Sequence, residues 1–461
     1  MTASSGARDP DARSHGAGES AGASGNEEAR VSSPNQGSPN EGSADQGRQV
    51  RIRPRNVVLH YAALVAPQAG TAGRVALERN AGQRLTRLTH AAAERVTQRR
   101  RPSRPAMRTL TAAPGGRLRW TAAPTPSLPG PGAALVHPIA IATCDLDPVV
   151  ALGASPFPLP LHLGHECVAE VTEVGDQVTT IRPGQRVVVP FQINCGDCPP
   201  CRAGYTGNCV SVPPVSMYGF GVTGGHWGGA YSDVLAVPYA DAMLVPLPDG
   251  VDPAAAASVA DNVADAYRHV APHLPRLREA DARSEILVIG SVTRRTALGG
   301  GVPLYAALIA RALGVGQVTL VDRRPGLAGH ARRLGFDVLH PKQLRDRRAA
   351  LVADLSAHPA GHRLALAHTA PDGICSNVGT LHRTARLPTL AMYARNVTLR
   401  IGRAHARALI PGVLDLMASG RLHPETVTST LGPLDDAPQI LAGHFRAGGI
   451  KAVLVTGSAA R

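Results

Sequence analysis

Four cysteines lie within fifteen residues of this 461-residue chain, in the run CGDCPPCRAGYTGNC. They are Cys195, Cys198, Cys201 and Cys209. Thiolate is a soft ligand that suits zinc, and four ligands complete a tetrahedral shell without leaving a position for substrate. The run therefore predicts a structural zinc lobe. A disulfide pair or a cluster of surface thiols is disfavoured, because the opening residues do not resemble a secretion signal and the spacing is not typical of a disulfide scaffold.

Three further potential metal ligands are scattered along the sequence. They are Cys144, His165 and Asp261, and Glu166 adjoins the histidine. A zinc site for hydride transfer needs three protein ligands and one open position, where the metal acts as a Lewis acid on a substrate oxygen. Taken singly, such a cysteine or histidine is more often a buried structural residue. Together they supply the ligand count of a catalytic site.

The elements that position these residues change character along the chain. From Met107 short β-type runs alternate with Pro/Gly turns, which predicts a β-rich domain. After Asp261 the order is a buried strand at 284–290, a helix at 303–313 and a second strand at 317–322, which predicts a βαβ unit. Further apolar runs are predicted to extend that sheet by strand–helix alternation and to close the fold with a strand, at 363–367, 373–379, 397–401 and 451–455.

A Rossmann turn needs glycines directly after its first strand, so that the backbone can approach a pyrophosphate at a helix N-terminus. Here Gly290 is followed by SVTRRTAL before the next glycines. Those glycines are Gly299, Gly300 and Gly301. Either the insertion loops out and the glycines still cradle phosphate, aided by Arg294 or Arg295, or cofactor affinity is impaired. The position of the glycines between a strand and a helix favours the first alternative.

The end of the second strand bears on the type of cofactor. Asp322 lies there, 21 residues after Gly301. An acid at this point accepts hydrogen bonds from a ribose 2′-hydroxyl and repels a 2′-phosphate, which favours NAD. Arg323 and Arg324 favour NADP instead. On balance the sequence predicts NAD.

Taken in order, the motifs resemble those of the zinc-dependent alcohol dehydrogenases of the medium-chain dehydrogenase/reductase family. The matching motifs are CDLD at 144–147, GHE at 164–166, the four-cysteine lobe, GGAYSDV at 228–234 and the βαβ unit. The resemblance covers Met107 to the C-terminus. It implies an α/β protein with a GroES-like β-rich catalytic domain and a Rossmann doubly wound parallel sheet. It also implies hydride transfer between an alcohol/aldehyde pair and a nicotinamide cofactor, with two Zn²⁺ per chain.

The resemblance also implies roles for single residues. Cys144 and His165 match catalytic zinc ligands, Glu166 matches a carboxylate that can approach the metal, and Asp147 matches an acid that steadies the site. For the third ligand, Asp261 most resembles the form found in formaldehyde-dehydrogenase-like members, with Asp265 as the competitor. Lys451 joins the glycines, Asp322 and Arg323 as a cofactor-binding candidate. Cys167 and Cys375 lie in apolar strand patterns and are expected in the core.

One departure from the family pattern affects the chemistry. Relatives usually carry Ser or Thr two residues after the first zinc cysteine, where the hydroxyl relays the alcohol proton. This chain has Leu146, so another group or water must carry the proton. Leu146 and the stretched glycine loop leave a second interpretation open, in which a catalytically impaired zinc-binding relative serves as a binding or scaffold protein.

Composition divides the chain further. Residues 1–106 carry +7 of the net charge of +14, almost all of it as arginine, and are too poor in bulky apolar side chains to offset ordering entropy. They are predicted to form a disordered Arg-rich extension. The predicted domains are 107–261 (catalytic, with the zinc lobe), 262–400 (Rossmann) and 401–461 (return to the catalytic domain). Tyr218, His226 and Trp227 are pocket candidates without an assigned role.

Partners and location follow from the same features. The basic tract RRRPSR at 99–104 is expected to be solvated, so nucleic-acid binding is not predicted. The longest apolar run of the extension, at 57–65, is too short to span a bilayer. The family resemblance suggests a homo-oligomer, a dimer or tetramer. A cytoplasmic location is expected, where reduced thiols remain available to metal.

Overall fold

The structure is a computed structural model that describes residues 106–151, 157–221, 223–280, 285–293, 299–379 and 386–457. The predicted disordered extension, apart from Ala106, lies outside the described residues, and so do Arg294 and Arg295. Across these ranges no helix combines the length and the apolar character needed to cross a membrane.

Within the described ranges, short strands make up three sheets. The strands are β1 (Ala106–Ala113), β2 (Arg117–Pro124), β3 (Ala134–Ala142), β4 (Leu161–His162), β5 (Glu166–Val174), β6 (Arg186–Val189), β7 (Leu235–Val237), β8 (Val245–Pro246), β9 (Ile286–Ile289), β10 (Val318–Val321), β11 (Asp337–Leu339), β12 (Ala349–Asp354), β13 (Thr369–Asn377), β14 (Thr398–Ile401), β15 (Thr430–Pro433) and β16 (Ala452–Val455).

The helices are mostly short. They are α1 (Asp147–Ala151), α2 (Pro199–Arg202), α3 (Ala240–Met243), α4 (Pro253–Ala256), α5 (Asn262–Arg268), α6 (Leu274–Ala280), α7 (Gly301–Ala312), α8 (Pro325–Arg333), α9 (Pro359–Ala367), α10 (Thr389–Tyr393), α11 (Ala406–Ala418) and α12 (Ala437–Ala447). Short 3₁₀ turns lie between them, and the one at Ala257–Ala260 leads into the functional site.

The β-rich part is built on one large sheet, in the order β15-β16-β3-β5-β6-β8, with β7 also paired to β3. Strands β3 and β5 are antiparallel, and Ala142 lies opposite Glu166. The end of β3 and the start of β5 therefore lie side by side, which brings Cys144 and His165 to the same edge. Strand β16 pairs with β3 on the other side, Val453 opposite Ala142, so the end of the chain returns to this sheet.

The second part is a six-stranded sheet in the order β11-β10-β9-β12-β13-β14, in which every neighbouring pair is parallel. This is the 3-2-1-4-5-6 order of a doubly wound Rossmann fold, whose ligands bind at the carboxyl ends of the strands near the point where the strand order reverses. All four residues of β9 are fully buried, as a central strand covered on both faces requires. The predicted Rossmann sheet is confirmed.

One sequence prediction within this sheet needs correction. The run at 363–367 lies in helix α9, and the strand between β9 and β13 is instead β12. The run of Leu and Ala at 364–367, which follows Arg363, has no period that distinguishes a strand from a buried helix turn. The runs at 373–379 and 397–401 do contain strands, β13 and β14.

Candidate active site

The cysteine lobe gathers its four thiols around one point. The sulfur atoms of Cys195, Cys198, Cys201 and Cys209 all lie within 4.8 Å of one another. Backbone N–H groups point at them: Cys195 donates to the sulfur of Cys209, and Cys198 donates to that of Cys195, both at 3.4 Å. Burial acts to raise the pKa of Cys198, but hydrogen bonds from the Val210 and Cys201 backbone lower it to about 6. The lobe has the donor set and spacing that a structural zinc ion requires.

A second group of potential ligands assembles from three distant segments. One atom each of Cys144, His165, Glu166 and Asp261 lies within 4.8 Å of the others. Asp261 Oδ2 is 3.3 Å from Cys144 Sγ and 3.3 Å from His165 Nε2. Asp265, the competing third ligand, pairs instead with Arg268 at 2.5 Å.

Local geometry explains why these segments converge. Cys144 follows β3, His165 immediately precedes β5, and Asp261 lies between the 3₁₀ turn at 257–260 and helix α5. Gly164, next to the histidine, has φ +96, and a Cβ there would clash with the Tyr231 ring. Only glycine fits this approach of the two chain segments.

The histidine has the environment expected of a metal ligand. His165 is 2% exposed, yet among the described residues neither ring nitrogen has a hydrogen-bond partner. Its 3.3 Å approach to Asp261 lacks hydrogen-bond geometry. A buried polar atom left without a partner is costly, and a cation between His165, Cys144 and Asp261 would satisfy all three. The donor set therefore fits zinc.

Further side chains hold the ligands. Asp147 accepts a hydrogen bond from the Cys144 backbone at 2.9 Å, and its other oxygen is 3.9 Å from His165 Nδ1. The Asn262 side-chain amide donates to Cys144 Sγ at 3.3 Å and to Asp261 Oδ2 at 3.0 Å. Sequence reasoning missed Asn262, although its position next to Asp261 was a usable signal.

A buried ion pair lies behind the cluster. Lys451 Nζ is 2.9 Å from Glu166 Oε2, and both residues are fully buried. The lysine also donates to Asn262 Oδ1 at 2.9 Å and to the Thr143 carbonyl. Lys451, expected at the cofactor, is thus engaged by protein groups. The sequence did hold a signal for the partner of Glu166: Lys451 is one of only two lysines in the chain, and it directly precedes an apolar strand.

The cluster is rich in acidic groups. Burial raises the pKa of the Cys144 thiol, and the carboxylates of Asp261 and Glu166 raise it further. Burial also raises the pKa of Glu166 to about 8, against the lowering effect of Lys451. These raised pKa values favour the protonated forms of Cys144 and Glu166. A divalent cation bound beside them would favour the deprotonated forms instead.

A cavity of about 590 Å³ connects the cluster to the parallel sheet. One end holds Cys144 and Asp261, and the other reaches Ser291, Gly299 and Arg324 after β9 and β10. Its wall is apolar near the cluster, lined by Leu146, Phe157, Phe191, Val215, Met217 and Phe220. The pocket candidates Tyr218, His226 and Trp227 are not among the lining residues. The cavity therefore joins the ligand cluster to the carboxyl ends of β9 and β10, where a Rossmann fold binds its cofactor.

The cofactor candidates lie at the carboxyl ends of β9 and β10. Gly290 has no space for a side chain, because a Cβ would clash with Asp322. Both oxygens of Asp322 are occupied: Ser291 N donates at 2.8 Å, and Arg324 donates through Nε at 3.0 Å and Nη2 at 2.8 Å. The backbone N–H of Arg323 donates to the Ser291 carbonyl at 2.9 Å.

The three later glycines surround the start of helix α7. A Cβ on Gly300 would clash with Leu327, and one on Gly299 or Gly301 would come within 2.6 Å or 3.0 Å of Asp145 Oδ1. Asp145 was not among the sequence candidates. The three glycines therefore lie where the backbone approaches the Asp145 and Leu327 side chains too closely to leave room for side chains of their own.

Comparisons with known proteins agree with this geometry. The profile of the Alcohol dehydrogenase GroES-like domain matches residues 130–249. A probable zinc-binding alcohol dehydrogenase of Mycobacterium tuberculosis is 32% identical over 339 residues, which cover 72% of this chain and 83% of that protein. A glutathione-independent formaldehyde dehydrogenase of Pseudomonas aeruginosa is 33% identical over 209 residues, 42% of this chain and 47% of that one.

A solved structure extends the match to three dimensions. Alcohol dehydrogenase TADH from Thermus sp. ATN1 superposes with a TM-score of 0.67 at 31% identity, covering 76% of this chain and all of that one. The predicted family resemblance is confirmed. The chain belongs to the zinc-dependent alcohol dehydrogenases of the medium-chain dehydrogenase/reductase family and is an oxidoreductase of alcohols and aldehydes.

Proposed function

We propose that Cys144, His165 and Asp261 hold the catalytic zinc, and that the four lobe cysteines hold a structural one. The observation that carries this proposal is the convergence of three buried donor atoms, two of them 3.3 Å from the same Asp261 oxygen. Zinc in such a site supplies a Lewis acid for the substrate oxygen. Asn262 and Asp147 orient the ligands, and the cavity wall beside them is apolar. A scaffold protein would not require this convergence.

The cavity supports a substrate with an apolar carbon skeleton. Phe157 and Phe220 stack edge to face at 4.6 Å between centroids, and Leu146 and Met217 complete the wall near the ligands. Each Å² of apolar substrate surface that this wall removes from water contributes roughly 25 cal/mol to the free energy of binding. Medium-length aliphatic or aromatic alcohols and their aldehydes are therefore the proposed substrates. Because Leu146 offers no hydroxyl, the alcohol proton leaves through water.

The nicotinamide cofactor, which accepts or donates the hydride in this family, is proposed to be NAD rather than NADP. Asp322 supports this assignment, because its carboxylate lies at the end of β10, where the adenosine ribose binds in a Rossmann fold. A 2′-phosphate beside that buried carboxylate would be repelled. Arg324 has to release one Asp322 oxygen when a ribose hydroxyl binds.

A homo-oligomer is the proposed assembly, in the reduced environment of the cytoplasm. Strand β14 is the last of the six-stranded sheet, and apolar side chains on it and on helix α10 face solvent: Ile401 is 56% exposed, Leu390 79% and Tyr393 82%. An exposed apolar sheet edge pairs readily with a second copy. Light scattering on the wild type and on Tyr393→Glu tests it: a dimer or tetramer that dissociates in the variant is expected, and a monomeric wild type contradicts it.

The zinc assignment is tested by metal content and turnover in the full-length protein. We expect two zinc ions per chain in the wild type and in Cys375→Ala, whose thiol is buried in β13 away from both clusters. We expect one zinc in Cys144→Ala, with loss of alcohol oxidation but retained NADH binding. An unchanged zinc content in Cys144→Ala would contradict the assignment.

A further inference from the structure

The N-terminus of helix α7 already carries an anionic side chain. Gly301 N donates to Asp145 Oδ1 at 2.9 Å, and Val302 N donates to Asp145 Oδ2 at 3.2 Å. The residue before the helix, Gly300, has no side chain that could cap these groups. A carboxylate 156 residues earlier in the chain therefore serves as the cap of a twelve-residue helix.

Other contacts hold this carboxylate in place. The Asp145 backbone N–H donates to Asn262 Oδ1 at 3.2 Å, and its carbonyl accepts from Gly299 N at 3.0 Å. Its side chain packs on the glycines so closely that a Cβ on Gly299 would lie 2.6 Å from Oδ1. The glycines thus make room for Asp145 as the structure stands.

The occupied position matters because of where α7 lies. It connects β9 to β10, the first βαβ unit of the Rossmann sheet. In such a unit the free N–H groups at the start of this helix bind the pyrophosphate of a dinucleotide. A pyrophosphate and the Asp145 carboxylate have the same sign of charge and need the same two donors.

We propose that Asp145 is a built-in competitor of the cofactor pyrophosphate and thereby sets the nucleotide affinity of this enzyme. This inference rests on the proposed cofactor cleft. When the dinucleotide binds, the Asp145 side chain gives up Gly301 N and Val302 N, and the phosphate oxygens accept from them instead. The cost of that exchange weakens binding and speeds release of the cofactor after turnover.

The alternative is that Asp145 is only a helix cap. The substitution Asp145→Asn separates the two roles, because the amide keeps one acceptor oxygen for the helix N-terminus but carries no charge. A second variant, Asp145→Ser, keeps a capping oxygen on a shorter side chain. The matched control is Asp252→Asn: Asp252 caps α4 by accepting from Ala254 N at 2.6 Å and Ala255 N at 3.1 Å, and it is not among the residues lining the cofactor cavity.

The test is the dissociation constant of NADH and of ADP-ribose for the zinc-loaded full-length proteins, measured by calorimetry. ADP-ribose contains the pyrophosphate but no nicotinamide. We expect both ligands to bind at least about tenfold more tightly to Asp145→Asn and Asp145→Ser than to the wild type. The reason is that a like charge in contact with a ligand weakens its binding by more than about tenfold. Asp252→Asn should bind like the wild type.

Equal or weaker binding to both Asp145 variants, with the wild type binding normally, would overturn the competition and leave the cofactor site of the proposed function in place. No binding of either ligand to any of the proteins would overturn both. Binding seen only in the Asp145 variants supports the competition in its strongest form.

Discussion

The two ligand clusters that we propose for zinc are built in opposite ways. The lobe takes all its ligands from residues 195–209, with Cys195 and Cys198 half-buried and Cys201 and Cys209 buried. The other cluster takes ligands from the end of β3, the start of β5 and the turn before α5, and all of them are more than nine-tenths buried. The ligands of a local cluster are positioned by their own segment alone. The ligands of a dispersed cluster are positioned by the register of distant strands and stabilised by counter-charges from elsewhere in the fold.

The largest effect on stability is expected at the lobe. We expect Cys198→Ser to lower the free energy of unfolding by about 4 kcal/mol or more, because metal binding at a structural zinc site is coupled directly to folding. Cys144→Ala should lower it less while abolishing turnover. Chemical unfolding of both variants, with zinc present, measures the difference. Equal losses of stability would remove the distinction between a structural and a catalytic cluster.

Lys451 supplies the positive charge that compensates the acidic groups of the buried cluster. Lys451→Met removes the partner of Glu166 and leaves a carboxylate buried without compensation. We expect a loss of about 3–5 kcal/mol in the free energy of unfolding. The control is Lys342→Met, the only other lysine, which is exposed and should change stability by less than about 0.5 kcal/mol. A loss below about 1 kcal/mol for Lys451→Met would show that the pair is not stabilising.

A smaller effect is expected where the cavity wall meets the cluster. Leu146→Ser returns a hydroxyl next to the ligands and should raise kcat for alcohol oxidation by about tenfold, because a positioned proton carrier typically accelerates such steps by 10²-fold or more. Val215→Ser adds the same hydroxyl elsewhere on the cavity wall and should not raise kcat. Steady-state rates across pH 6–10 measure the effect. An unchanged kcat in Leu146→Ser would mean that water already carries the proton without limiting turnover.

The smallest effect concerns the support of the lobe. Helix α3 packs against the lobe at Gly196, and Asp241 on α3 accepts hydrogen bonds from the backbone and hydroxyl groups of Thr179 and Thr180. Burial acts to raise the pKa of Asp241, but these hydrogen bonds lower it from 3.8 to about 2. The lowered pKa contributes stability that is present above pH 3.8 and is lost as the pH falls towards 2.

Asp241→Asn should therefore destabilise the protein at pH 6 by less than about 1 kcal/mol, since the carboxylate is only half-buried and solvent screens its charge. The difference from the wild type should shrink at pH 3. Thermal unfolding at the two pH values measures it, and a difference that grows on acidification would contradict this interpretation.

Much of the fold and the lobe could be predicted from sequence, because the features that specify them are local. The lobe needs only its spacing, and β9, α7 and β10 have apolar runs of the right length. The gathering of Cys144, His165 and Asp261 was predicted from motif order and not from any local pattern. The site assignments themselves stay predictions until the metal is measured.

Two of the contacts that could not be predicted join distant segments. The pair of Lys451 with Glu166 spans 285 residues, and the cap that Asp145 provides to α7 spans 156. Arg324 was weighed only as a ligand for a 2′-phosphate, but it holds Asp322. The two long-range contacts depend on where a strand or helix ends in space, which composition and periodicity do not specify.

X-ray absorption at the zinc edge of the full-length protein tests most directly whether two chemically different zinc sites exist. One site with four sulfurs and one with a single sulfur predict an average of about 2.5 sulfur ligands per zinc in the wild type, rising to about 4 in Cys144→Ala as the zinc content halves. An average of about 4 sulfurs in the wild type, unchanged in Cys144→Ala, would mean that only the lobe binds zinc and would contradict the catalytic centre proposed for Cys144, His165 and Asp261.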